Sequence, residues 1–236
     1  MKSAIRRSVP ITISMLALFG CGAADKSESD SVASQTEALA NAVPQAEDLH
    51  LAMPSDPAGP ETEAVPIANA TCIGALPAEF AALTHQVTGD ANGLAEGVFA
   101  IVAQVMSTPP AVAAPDHAVW GPLSDPSSPS VYKLEVTKID PQTFNFALSG
   151  RPKAADDASF IPVLMGVTTM PDPKHRASEM SVDFDARYAL DPSSDPVAGK
   201  VGIHYENADG VRHVELTLGG IVGPNAPAPN DVLYRF

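Results

Sequence analysis

Basic residues are scarce in this sequence. It holds 14 Lys+Arg against 28 Asp+Glu in 236 residues, a formal net charge of −14. That excludes the clustered Lys and Arg of a phosphate-binding surface, and nucleic acid with it. It also excludes electrostatic docking on anionic lipid. Cysteine is nearly absent, with only Cys21 and Cys72, so no disulfide framework is available. No apolar run reaches the ~20 residues that a transmembrane helix needs. Common catalytic signatures are missing as well: Gly-x-Ser-x-Gly, a Walker loop, His-Glu-x-x-His and Cys-x-x-Cys do not occur. Proline is in excess, with 23 residues where ~5% of positions is ordinary. Each interior proline removes a backbone donor and fixes φ, which predicts few long helices over most of the chain.

What is present begins with an address. Lys2, Arg6 and Arg7 precede a mostly apolar stretch from Val9 to Phe19, the pattern of a secretory signal over residues 1–20. The stretch ends at Leu18-Phe19-Gly20-Cys21. This tetrapeptide resembles the lipobox of bacterial lipoproteins. The resemblance implies a diacylglyceryl thioether and an N-acyl chain on Cys21 after cleavage, a palmitate-type membrane anchor that needs no other cofactor. It further implies export and lipid anchoring in the envelope. Gly22 rather than Asp after the Cys implies the outer membrane.

Residues 21–66 then run rich in Ala, Ser, Asp, Glu and Pro, without an aromatic residue. Such a segment buries too little apolar surface to offset its ordering entropy, so it reads as a disordered acidic tether. Residues 67–236 read as a single domain. Leu76, Phe80, Leu83 and Val87 lie on one helical face, and Leu94, Val98, Ile101, Val102 and Val105 on another. With Thr88-Gly89-Asp90 between them, the spacing predicts a helical pair over about 77–106.

From Trp120 the period changes to two. Tyr132, Leu134 and Val136 alternate with polar residues, as do Phe144, Phe146 and Leu148. Further apolar sets are Ile161, Val163, Met165 and Val167; Met180, Val182 and Phe184; Val201, Ile203 and Tyr205; Val214, Leu216 and Leu218; and Val232, Tyr234 and Phe236. These predict about seven half-buried strands over 120–236, joined by turns too short for parallel crossovers. The expected fold is α+β, with the helical pair packed on a curved antiparallel meander. Trp120 is expected to plug its core.

In the hairpin at Asn207-Ala-Asp-Gly210, pairing Asn207 with Gly210 sets His204 opposite His213. Opposed imidazoles, with Glu206 or Glu215 beside them, have the composition of a Zn²⁺ site. The metal set is therefore His204, His213 and Glu215. The plainer reading is two polar residues on a solvated strand face. Asp183, Asp185, Asp191 and Asp195 lack the spacing of a Ca²⁺ loop. Ser130-Val-Tyr-Lys133 matches Ser-x-x-Lys without its companion motifs. No catalytic residue is nominated, and Cys72 reads as a buried thiol.

Trp120-Gly121-Pro122, Gly150-Arg151-Pro152 and Val182-Asp-Phe-Asp185 make the body resemble a group of predicted bacterial lipoproteins. It is more loosely similar to lipoprotein-carrier half-barrels, which hold lipid between helices and a curved sheet. The resemblance brings no known activity; the apolar sheet face opposite two very apolar helices instead suggests a non-enzymatic envelope lipoprotein whose sheet binds an apolar ligand or a protein partner. A metal-dependent enzyme at His204 and His213, and a structural envelope spacer, are the alternatives.

Overall fold

The computed structural model describes residues 26–51, 79–193, 197–223 and 226–235. The signal segment, Cys21 and Cys72 lie outside them. The architecture is α+β. Helices α1 (Lys26–Asn41), α2 (Ala46–Leu49) and α3 (Glu79–Met106) precede the sheet, and α4 (Phe184–Leu190) interrupts it. The strands are β1 (Val112–Ala113), β2 (His117–Leu123), β3 (Ser130–Lys138), β4 (Thr143–Pro152), β5 (Ile161–Asp172), β6 (His175–Asp183), β7 (Ala198–Ala208), β8 (Val211–Gly223) and β9 (Ala226–Arg235). They form one antiparallel sheet in chain order. The seven expected strands are β3 to β9. The two-residue β1 and the full strand β2 are additional. Gly121-Pro122, a cis peptide, interrupts the alternation of β2 and hid it from the pattern.

Two long helices do precede the sheet, but not as the expected pair within 77–106. α3 runs unbroken for 28 residues through Thr88-Gly89-Asp90. It occupies the proline-free interval between Pro77 and Pro109. Its three glycines, Gly89, Gly93 and Gly97, cost the helix ~1 kcal/mol each, which tertiary packing of Val98, Val102 and Val105 outweighs. α3 and α1 both pack on β2 and β3.

The second helix, α1, comes from the segment expected to be a disordered tether. Over 26–51 that expectation is corrected. Leu39, Val43, Leu49 and Leu51 are all at most 8% exposed and belong to the main core. Burying each is worth about 1.5–3 kcal/mol, enough to order a short amphipathic stretch that would not hold alone. Polar contacts fix this strap. Asp48 Oδ2 accepts from Gln45 N–H at 2.9 Å and from Arg176 Nη1 at 3.1 Å. Arg212 Nη1 donates to the Glu47 carbonyl at 2.9 Å. Asn92 of α3 clasps Leu51 through both its amide atoms, at 2.9 and 3.1 Å.

Phe184, expected in a strand, instead begins α4. Asp183 caps the helix by accepting from Ala186 N–H at 2.9 Å, and Phe184 and Leu190 turn into the core. Together α1 to α4 cover one face of the sheet. On the other face, among the described residues, a short 3-10 turn (Asp157–Ser159) reaches β4, with Phe160 against Lys133 and Arg151.

Candidate functional site

Alternation assigns each strand residue to one face. Leu134 and Val136 of β3, Phe146 and Leu148 of β4, Val182 of β6 and Ile203 and Tyr205 of β7 are buried on the helix side. Trp120 joins them at 3% exposure, opposite Leu134. The central strand β5 breaks the expected pattern. Its apolar set was Ile161, Val163, Met165 and Val167, yet only Val163 is buried. Ile161, Met165 and Val167 are 37%, 51% and 42% exposed. Leu164, Gly166 and Thr168 face the core instead, opposite Leu148, Phe146 and Phe144.

Two features pin this inverted register. Gly166 lies opposite the buried Phe146, and a Cβ there would meet the Phe146 ring and come within 2.9 Å of the Glu179 carbonyl. The missing side chain is what lets the ring lie across the strand. On the next core position Thr168 and Ser178 share a hydroxyl hydrogen bond at 2.8 Å, both buried. A slip of one residue would put Val167 in the core, but would force Met165 or Val167 against Phe146. The register therefore holds at the cost of an exposed apolar stripe.

Met165 and Val167 floor a shallow groove of about 570 Å³ across β3 to β6, whereas Ile161, beyond the bulge in β5, pairs with the core-facing Gly150. Ala147 and Ser181 flank Met165 in register, and Asn145 and Glu179 flank Val167. Glu135 stands at the β3 side and Glu179 at the β6 side. Each carboxylate meets a histidine: Glu135 Oε1 lies 3.1 Å from His117 Nε2, and Glu179 Oε1 lies 2.6 Å from His204 Nδ1. Further along the sheet Leu233 of β9 is 50% exposed on the same face, opposite Thr217.

The hairpin register differs from the expected one by two residues. Ala208 pairs with Val211, so the turn residues are Asp209 and Gly210, at φ 51° and 84°. This is the Asp-Gly two-residue turn whose positive φ values match strand twist. A two-residue shift keeps every side chain on its face but changes every partner. His204 sits opposite Glu215, and His213 opposite Glu206. The imidazoles become diagonal neighbours, with centroids 6.4 Å apart and planes at 66°. Among the described residues no three His, Cys, Asp or Glu side chains come together as a metal-ligand set. His204, His213 and Glu215 thus share a face without converging.

The remaining nominated residues have structural work. Asp183 joins Lys200 at 2.9 Å. Burial pushes its carboxyl up, but the Ala186 N–H and the Lys200 ammonium bring it below the usual aspartate range. Asp185 accepts from Gly199 N–H, and Asp191 from Ser193. Asp195 lies outside the described residues. Ser130 Oγ donates to the Leu190 carbonyl at 2.6 Å on the core face, whereas Lys133 lies over Phe160 on the other. The Ser-x-x-Lys match therefore assembles nothing. His175 pairs with Asp172 in the β5–β6 turn, and that hydrogen bond raises its pKa.

Sequence reasoning missed the groove because it assigned the β5 stripe to the core. The available signal was Gly166 between two apolar residues, facing a strand with Phe146 in the matching position. Among the described residues no helix is long and apolar enough to cross a membrane. Comparison with protein-family models, with curated proteins and with solved structures finds no match.

Proposed function

We propose that this chain is a lipid-anchored protein of the bacterial envelope that docks a protein partner on the outer face of its curved sheet. Export by segment 1–20 and acylation of Cys21 are the reading of the lipobox-like tetrapeptide. A Cys21→Ser variant then moves from the membrane fraction to the soluble periplasmic fraction, and unchanged membrane retention contradicts the anchor.

One observation carries the docking role: the apolar stripe of the central strand faces outward, held there by Gly166 and the Thr168–Ser178 pair. Contiguous exposed apolar surface with a polar rim is the mark of an interaction site. The occupant follows from charge. A net charge of −14 opposes a second copy of the chain. Glu135 and Glu179 at the rim suit a segment with apolar side chains beside Lys or Arg. A displayed random-peptide library selected on the full chain is the test. Enriched peptides should combine apolar residues with Lys or Arg, and should lose at least about tenfold in affinity for Met165→Asp/Val167→Asp. Peptides that bind the double variant equally well overturn the reading.

A further inference from the structure

A second concavity lies on the opposite side of the molecule, between α3, β3 and α4. Its volume is about 300 Å³, and Ile101, Val105, Leu123 and Tyr132 supply its apolar wall. Its size is at the lower end of the range for small-molecule pockets, and the rest of its lining is polar. Three charged side chains also reach it: Asp125, Asp191 and Arg187. They are not in the same condition. Asp125 accepts from Ser127 N–H at 2.7 Å and from the Ser127 hydroxyl. Asp191 accepts from Ser193 N–H at 3.1 Å and from its hydroxyl at 2.6 Å. Both carboxylates accept from donors of their own turns and stay anionic.

Arg187 differs. Among the described residues its guanidinium has no hydrogen bond and no carboxylate within 4.0 Å. It lies alongside α3 at Gly97, where a Cβ would stand 3.8 Å from both Nη1 and Nη2. A guanidinium carries five donors in a fixed fork that matches a carboxylate. Here the fork is held against a helix, beside an apolar wall, with its donors unused.

We propose that this cleft binds a small molecule with one carboxylate on an apolar body, the carboxylate on Arg187 and the body against Ile101, Val105, Leu123 and Tyr132. The site is separate from the outer-face groove and does not depend on it. A ligand without the carboxylate leaves Arg187 unmatched. A ligand without the apolar body leaves the wall wet.

Isothermal titration of the full chain with isocaproate, octanoate and hydrocinnamate is the test, with isocaproamide as the uncharged counterpart. At least one acid binds and the amide does not. Arg187→Met keeps the stem and removes the fork, and weakens the acid by about 10–100-fold. Gln104→Trp, at an exposed α3 position on the cleft rim, obstructs the site without touching Arg187 and gives a comparable loss. Circular dichroism spectra matching the parent keep both variants interpretable. Binding that persists in Arg187→Met, equal binding of the amide, or no binding by any of the three acids overturns the proposal. Neither variant alters peptide docking on Met165 and Val167, so the two sites fail independently.

Discussion

Thr168 and Ser178 face each other from β5 and β6, with their hydroxyls 2.8 Å apart and sealed from solvent. Each satisfies the other, which makes the pair neutral as a pair and costly when broken. Thr168→Val alone strands the Ser178 hydroxyl and destabilises by about 1–3 kcal/mol. The double variant Thr168→Val/Ser178→Ala removes both polar groups and recovers most of that loss. Urea denaturation of the parent, the two single variants and the double variant checks this. Additive losses would mean that the hydroxyls do not partner each other. On the core face, burial raises the phenols of Tyr132 and Tyr205 above their ordinary pKa.

At the scale of the element, the strap over 39–51 is the part least legible in the sequence. Apart from alanines, its apolar residues are few, and their spacing alone carries no helix. Its order comes from the sheet it covers. Arg176 shows what the strap seals: burial lowers its pKa, and among the described residues Nε and Nη2 are buried without a hydrogen-bond partner. It pairs with Asp48 at 3.1 Å, and the two side chains are 18% and 30% exposed. Asp48→Ala should cost about 1–3 kcal/mol, between an exposed pair and a fully buried one. Amide exchange across Leu39–Leu51 should quicken more than exchange in β3 and β4. Equal protection in parent and variant would contradict the latch. The strands were far easier to read, because alternation in β3, β4, β7 and β8 follows one buried face. α4 escaped because Phe184 continues the β6 alternation by one step before Asp183 caps a helix. The hairpin register escaped because a two-residue shift leaves the hydrophobic match intact, and only the positive φ of Asp209 and Gly210 decides it.

For the whole molecule, two faces of one sheet have different occupants. The helix side is filled by the chain itself, with α1, α2 and the strap completing the core. The half-barrel analogy placed an apolar ligand there, between helices and sheet. Among the described residues, Leu39, Val43, Val98 and Val102 share the core there with Leu134, Tyr205 and Leu216. The open face carries Met165 and Val167 on a strand whose register is fixed from the other side. A local conflict between apolar pattern and position is the expected trace of function rather than of stability. The candidate metal residues were legible as a shared face, and their lack of convergence was not, since it depends on the two-residue register.

Methyl-resolved NMR of the full chain, titrated with a library-selected peptide, tests the docking face most directly. Shifts are expected only in the methyl groups of Ala147, Met165 and Val167, with those of Leu39, Val43, Ile203 and Leu216 unmoved. Shifts centred on those core methyls, with Met165 and Val167 unchanged, would contradict it. They would place the binding surface under the strap instead.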